Sequence, residues 1–449
     1  MGDQQQLTSE PLWHGIFRLA GPAVLMMVLQ GTYNYVDTYF VGYLGADALA
    51  GISTGGFVLW MTFALAQLVT VGVTAKVARR IGEQNRVEAD RTAVRGILFS
   101  VFSAMVIAIP LYFLLPSLFA FMETTASVTQ LGTDYMIPMI ITLPTIFLSF
   151  VVNGVLSAAG DTRTPFVLMF VSLLANALLA PMMIFGWGGL PALGVAGAAW
   201  ATALCRIFYT ILAWFSLQRT NSVISFKTHG RLNLRFSEFW EVLRIGAPKT
   251  ATGILFALVY MALTRITSHF GTPNVAALRI GHIYEGLSFF VAMGFAMAAG
   301  TLVGQNLGAR QPRRAAQAAW VTSLIVGLCT ALVAVLFRFG SVILSRVFSS
   351  DAQVITAASE YLLILAWSQP FMGIELVLEG CFNGAGDTLP PMAIQLPLTV
   401  MRYPIALLLS FAAGWGVEGV WWAISGTSIV KCLLLIWWFG RGRWAKTVV

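Results

Sequence analysis

The chain has 449 residues, 58% hydrophobic and only 10% charged, with a net charge of +8 and a mean hydropathy of +0.79. A soluble domain carries about 25% charged residues, so this composition excludes a water-soluble enzyme or binding module and calls for a lipid-facing surface. The positive charge gathers in alternate loops, a mark of membrane topology rather than of a nucleic-acid partner.

The N-terminal Met1-Gly-Asp-Gln-Gln-Gln-Leu7 lacks the basic start and cleavage site of a signal peptide, and the first span is expected to be retained. A membrane helix needs about 20 mostly apolar residues. Charge is absent from Ala48 to Ala75, Gly96 to Met122, Tyr135 to Gly160 and Thr164 to Cys205; the last stretch can cross twice, turning at Gly186-Trp-Gly-Gly-Leu-Pro191. Twelve spans follow: 12–41, 46–78, 92–119, 127–158, 163–186, 194–217, 239–270, 273–305, 314–339, 353–383, 389–412 and 417–440. The fold class is therefore all-α integral membrane, with twelve transmembrane helices.

On the first span, Gln30, Asn34 and Asp37 are spaced i, i+4, i+7 and share one face. Pro22, earlier on that span, removes a backbone hydrogen bond and permits a kink. Between the second and third spans lie Lys76, Arg79, Arg80, Arg86, Arg91 and Arg95. The fourth span carries Thr145, Ser149, Asn153 and Ser157, and the fifth Ser172 and Asn176, again every four residues. Such stripes are read as an interior cavity. For the hydroxyls, interhelical hydrogen bonding is the first reading. Asp37 is read as functional, because an ionisable group at the centre of a span costs at least about 2.5–3.5 kcal/mol and no Lys or Arg stands near it in sequence. It can exchange a proton or bind a cation.

Arg219, Lys227, Arg231 and Arg235 fall between the sixth and seventh spans, Arg310, Arg313 and Arg314 after the eighth, and Arg441, Arg443 and Lys446 at the end. The alternate loops are nearly free of basic residues, with Arg338 and Arg346 as the main exceptions. Both termini are thus expected in the cytoplasm. The four cysteines, Cys205, Cys329, Cys381 and Cys432, form no CxxC pair and the four histidines are scattered, so neither a metal site nor a cofactor is suggested.

One offset recurs through the chain. Arg18-Leu-Ala-Gly-Pro22 matches Arg244-Ile-Gly-Ala-Pro248, and Ala159-Gly-Asp-Thr162 matches Ala385-Gly-Asp-Thr388, each 226 residues later. Gly45 and Gly271, Ile81-Gly82 and Leu307-Gly308, Asp134-Tyr135 and Glu360-Tyr361, and Pro144 and Pro370 keep the same register. After the fifth span it slips, Gly194-Val-Ala-Gly matching Gly416-Val-Glu-Gly at 222. An even number of spans per half gives a parallel repeat about an axis along the membrane normal. The expected division is a first lobe over 1–217, a basic cytoplasmic linker over 218–238 and a second lobe over 239–449.

Subtracting 226 puts Glu375 on Ser149, Glu379 on Asn153, Arg402 on Asn176 and Leu263 on Asp37. Arg265, Arg279, Glu285 and Lys431 add charge to the same half. If the halves correspond, Glu379 and Arg402 face each other, and a structural ion-pair network is read slightly ahead of a coupling role. For Glu285 pairing and cation coupling stand equal.

These residues carry a resemblance. Gly21-Pro22, Val36-Asp37-Thr-Tyr-Phe-Val-Gly-Tyr-Leu-Gly45, Leu302-Val-Gly-Gln-Asn-Leu-Gly308, Gly384-Ala-Gly-Asp-Thr388 and Gly194-Val-Ala-Gly-Ala-Ala-Trp200 together resemble the multidrug and toxic compound extrusion (MATE) family, nearest its prokaryotic DinF-like branch. The resemblance implies a cation-coupled efflux pump for amphipathic or cationic compounds, working by alternating access in a prokaryotic plasma (inner) membrane, with membrane lipid around it and no nucleic-acid partner. We read it as a monomer. It also implies that Asp37 and Asn176 take the coupling ion, that Gln30, Asn34, Tyr135 and Asn153 line the cavity, and that the first helix bends at Pro22. The family's fifth helix usually has an Asp before its Pro; here Ala180 precedes Pro181. Losing that oxygen weakens a sodium site, so H+ is favoured as coupling ion over Na+.

Two alternatives stay open at this level, a lipid-linked saccharide flippase and a narrow metabolite exporter; not expected is a membrane-embedded enzyme. The sequence holds no GxSxG, HExxH or phosphate-binding loop for the last. Asp161 and Asp387 recur in matching turns, which suits a structural role.

Overall fold

The computed structural model describes residues 6–121, 125–218 and 236–447; Arg219, Lys227, Arg231, Arg235 and most of the expected linker lie outside them. The described residues form helices and no strand. A single turn, α1 (Gln6–Ser9), precedes α2 (Leu12–Gly42), α3 (Ala46–Gly82), α4 (Arg86–Phe121), α5 (Ala126–Ile141), α6 (Leu143–Ala158), α7 (Arg163–Phe185) and α8 (Val195–Gln218). The second half contains α9 (Phe236–Ser268), α10 (Thr272–Gly308), α11 (Pro312–Phe348), α12 (Ala352–Ala385), α13 (Leu389–Leu407), continued by a π-helical turn (Leu408–Ala412), and α14 (Glu418–Gly440).

Eleven of these helices are long and apolar enough to cross a membrane, and α5 with α6, bent by 56°, are together long and apolar enough for a twelfth. The sequence predicts one helix over 127–158. Two prolines divide it: Pro138 lies inside α5, and Pro144 near the start of α6 has no N–H and disfavours helix at the residue before it. Thr142, at the break, returns its hydroxyl to the Pro138 carbonyl at 2.8 Å.

Several helices outrun the bilayer. The 37 residues of α10 or α11 reach about 55 Å at about 1.5 Å each, against a hydrocarbon core of about 30 Å. The third span starts at Arg86 rather than at 92, because its first turns are laced by Glu88 to Arg91 and Arg95 at 3.6 and 3.1 Å. The ninth extends past 339 to Phe348, carrying Arg338 and Arg346 on helix rather than in a loop.

The chain divides into two compact units, and the division does not fall between the halves. The described residues of Leu25–Thr250 form one unit; Thr8–Val24 joins those of Ala251–Val449 in the other. The two crossing points, Val24 and Thr250, are repeat mates at the 226 offset.

In the first unit the start of α9 packs on α3 with almost no space between backbones. A Cβ on Gly246 would overlap the Leu68 carbonyl, and one on Gly72 would press on Val242. Thr250 donates to the Ala64 carbonyl at 3.0 Å, Arg95 pairs with Glu238 at 3.0 Å, and Lys76 pairs with Glu241. In the second unit Gly380 and Gly384 of α12 lie against the Ala296 and Gly300 carbonyls of α10, where a Cβ would overlap both. This small-xxx-small contact lets dispersion act where the hydrophobic effect between helices is weak.

Candidate functional site

Asp37 sits five residues before the end of α2 and is 2% exposed. Four helices of the first unit converge on it. The Thr202 hydroxyl of α8 lies 3.1 and 3.0 Å from its two carboxylate oxygens, and the Tyr135 hydroxyl of α5 donates to Oδ2 at 3.1 Å. The Thr202 oxygen in turn accepts from Nδ2 of Asn176, on α7, at 2.9 Å. Thr202 therefore bridges the two residues that the resemblance assigns to the coupling ion. The other Asn176 amide atom, Oδ1, is buried with no partner.

A second polar layer lies one turn away. The Tyr33 hydroxyl, four residues before Asp37, is 2.5 Å from Ser172 Oγ, which donates to the Cys205 carbonyl at 2.7 Å. Since the Ser172 proton is committed to that carbonyl, Tyr33 is the donor. Arg206, four residues after Thr202, places its guanidinium 5.2 Å from the Tyr33 ring centre and 5.4 Å from that of Phe63. Tyr209 donates to Asn153 Oδ1. Ser149 turns back onto its own helix, donating to the Ile146 carbonyl at 2.7 Å, the hydroxyl behaviour that satisfies a side chain without a ligand. Gln30 is half-buried two turns before Asp37; the Asn34 side chain lies outside the described residues. Pro22 is inside α2, on the portion counted with the other unit. Ala180 is fully buried in an apolar cluster with Ile184, Val195 and Ala198.

Thr202, Arg206 and Tyr209 were not among the residues expected at the site. Their spacing, i, i+4, i+7, is the same as that of Gln30, Asn34 and Asp37. The fourth charge-free stretch ends at Cys205 because Arg206 follows it in mid-helix. That arginine was the available signal, and it supplies the cation near Asp37 that local sequence lacked.

The second lobe answers the same positions with charges. Lys431 pairs with Glu375 at 3.0 Å, both 7% exposed, and Gln395 donates to the same carboxylate oxygen at 3.2 Å. Arg402 Nε and Nη2 donate to Thr427 and Ser428, each at 2.7 Å, and Nη1 to the Tyr260 hydroxyl at 3.3 Å. Hydroxyls on α14 and α9 come close enough to take the guanidinium, and Lys431 supplies the ion pair. Glu379 is buried and Glu285 half-buried, while Leu263, in the place of Asp37, is part of an apolar cluster. Among the described residues no three His, Cys, Asp or Glu side chains gather as metal ligands. At the turn after α6, Asp161 accepts from the Thr164 N–H and hydroxyl at 2.9 and 2.6 Å, a helix-entry contact.

The repeat and the fold have counterparts among known proteins. The MatE family profile matches residues 22–182 and again 248–408, two copies at the 226 offset found in the sequence. A relative from Thermotoga maritima, described as probable multidrug resistance protein NorM, is 28% identical over 441 residues, covering 97% of this chain and 93% of its own. A relative from Shewanella oneidensis described as an FAD transporter is 26% identical, covering 96% and 95%. Among solved structures, MATE in the bent conformation superposes with a TM-score of 0.91 at 22% identity over 99% of each chain. A MOP superfamily transporter from Pyrococcus furiosus, whose reverse binding-pocket polarity is said to suggest a different function, has a TM-score of 0.91 at 22% identity over 100% and 99%. These two share the fold.

Proposed function

The chain belongs to the MatE family of multi-pass membrane transporters, and from that membership we propose that it is a proton-coupled antiporter exporting amphipathic or cationic organic compounds. The observation that carries this reading is the setting of Asp37: a buried carboxylate held by two hydroxyls, with Ala180 at the place where the family's second carboxylate would stand. A carboxylate can carry a proton with these partners alone, whereas a sodium ion needs more oxygens around it. In this proposal Asp37 and Asn176 form the coupling site, Gln30, Asn34, Tyr135 and Asn153 line the cavity, and Pro22 is the hinge. The charges Glu285, Glu375, Glu379 and Arg402 serve the second lobe as a structural network. The lobes are 1–217 and 239–449, both termini are cytoplasmic, and the DinF-like branch is the nearest.

The cycle has two half-steps. Ionised Asp37 accepts substrate from the inside. A proton arriving from the outside neutralises the carboxylate, α2 shifts near Pro22, the cavity narrows and the substrate leaves outward. A potential of 100 mV supplies about 2.3 kcal/mol per charge moved, enough for useful accumulation.

The test is flux in liposomes under an imposed pH or sodium gradient, with a fluorescent organic cation as cargo. Proton-driven efflux that falls to background in Asp37→Asn is the expected result. Unchanged flux in that variant, or flux driven by sodium alone, overturns it. A dedicated metabolite exporter is the second reading, favoured by the relative described as an FAD transporter.

A further inference from the structure

Arg206 is a buried cation that the coupling scheme leaves unused. It is 7% exposed, and among the described residues its guanidinium has neither a hydrogen bond nor an ion pair, only the ring faces of Tyr33 and Phe63. The repeat supplies an internal comparison. Arg206 corresponds to Ser428 at the 222 offset, and Arg402 to Asn176 at 226, so the first lobe carries an arginine on its sixth helix and the second lobe one on its fifth. Arg402 has three side-chain hydrogen bonds, one from each nitrogen. Arg206 instead lies beside rings of α2 and α3, and among the described residues its five N–H donors are unspent. None of its nitrogens is among the fully enclosed polar atoms without a partner, so the N–H edge is reachable while two ring faces lie beside the group.

A planar guanidinium with a free N–H edge is shaped to receive a carboxylate or phosphate by two parallel hydrogen bonds. Asp37 is close by: Thr202, one turn from Arg206 on α8, touches its carboxylate, and the Arg206 charge acts on Asp37, Tyr33, Tyr135 and Tyr209. We propose that Arg206 receives the oxyanion of a zwitterionic aromatic amphiphile in the first lobe, while Asp37 takes its cationic group. This rests on the antiport reading for the role of Asp37. It divides the labour: Arg206 selects cargo, and Asp37, once neutralised by a proton, lets go of one of its two charges. The same pair of charges is present on a soluble ammonium carboxylate and on a phosphatidylethanolamine headgroup.

Two fluorescent probes separate the contributions. Nε-dansyl-lysine carries an ammonium, a carboxylate and an aromatic group; dansylcadaverine has the same amine and fluorophore without the carboxylate. Binding is measured on purified full-length protein in detergent. Wild type should hold the zwitterion at least about tenfold more tightly, the scale of one charge-assisted contact. Arg206→Gln should bind both probes alike, Arg206→Lys should keep part of the preference, and Asp37→Asn should weaken both probes. Thermal melting checks that each variant is folded, and the lysine variant keeps the test decisive if the glutamine one is not. Absence of preference in wild type, or its persistence in Arg206→Gln, overturns the proposal. Displacement of the zwitterion by phosphatidylethanolamine but not by phosphatidylglycerol, in wild type and not in Arg206→Gln, supports it and assigns the site to a lipid headgroup. Intact preference without proton-driven flux overturns the antiport reading alone; intact flux without preference overturns this one alone.

Discussion

Thr202 owes its weight to having one proton and two neighbours. Its hydroxyl donates to Asp37 and accepts from Asn176, so replacing it with valine keeps the shape and deletes both bonds. Thr202→Val should cost about 1–3 kcal/mol of stability, the penalty for leaving buried polar groups unpaired, and should reduce proton-driven flux more than Ser149→Ala. Thermal melting with liposome flux on the two variants checks this, and equal flux would remove Thr202 from the site. The buried pair Glu375–Lys431 gives a sharper energetic case. Removing one partner strands the other charge, so Lys431→Met should destabilise by about 3–5 kcal/mol, while the double variant Glu375→Leu/Lys431→Met should recover most of that. Asp37 was legible in the sequence because an acid in an apolar span has no bland explanation. Thr202 was not, since a threonine in a span usually returns its hydroxyl to its own backbone, as Thr62 and Thr70 do at 3.0 and 2.9 Å. Periodicity identifies which residues share a face; it does not say which helix that face meets.

At the scale of the helix, the places where backbones touch decide more than the charges around them. The start of α9 is fixed to α3 both by glycine contacts and by ion pairs, and the two kinds of contact differ in strength. Lys76–Glu241 is partly exposed, the Glu241 side chain retaining 58% of its accessibility, and such a pair is worth about 0–1 kcal/mol. Gly246 meets the Leu68 carbonyl, an atom that cannot rotate out of the way. Gly246→Ala should therefore destabilise by about 1–3 kcal/mol, the range for overpacking, while Glu241→Gln should change melting little. Melting of the two variants side by side is the measurement, and a larger effect for Glu241→Gln would reverse the ranking. Most helices were legible to within a few residues, since each needs an apolar run and most end at a glycine or a charge cluster; the third begins six residues earlier than read and the ninth runs nine residues further. The bend in the fourth span was less so: Pro138 and Pro144 were visible, yet whether two prolines kink a helix or divide it depends on how the chain is held between them, here by Thr142, whose N–H and hydroxyl both return to the Pro138 carbonyl at 3.1 and 2.8 Å.

For the whole molecule, the repeat is the organising fact, and three independent observations share its register: the sequence landmarks, the two MatE matches, and the crossing points Val24 and Thr250. The crossing could not be read from hydropathy, because Leu12–Gly42 and Phe236–Ser268 are uninterrupted apolar helices whichever unit their first turns join. What hydropathy and charge do supply is the proposed orientation. Twelve spans with both termini inside put the turn after α10 in the cytoplasm and the turn after α11 outside. Gln311 and Ser350 are exposed in those turns, and neither carries a contact the fold depends on. After replacement of Cys205, Cys329, Cys381 and Cys432, single cysteines at these two positions give opposite expectations for a membrane-impermeant maleimide applied to intact cells. Ser350→Cys should label readily and Gln311→Cys only after the membrane is opened. The loop around Gln311 carries Arg310, Arg313 and Arg314, and basic loops of this length are retained on the cytoplasmic side. The reverse pattern would invert the whole chain, since an even number of spans ties both ends and every basic loop to one side, and proton entry to Asp37 would then have to be assigned to the opposite face.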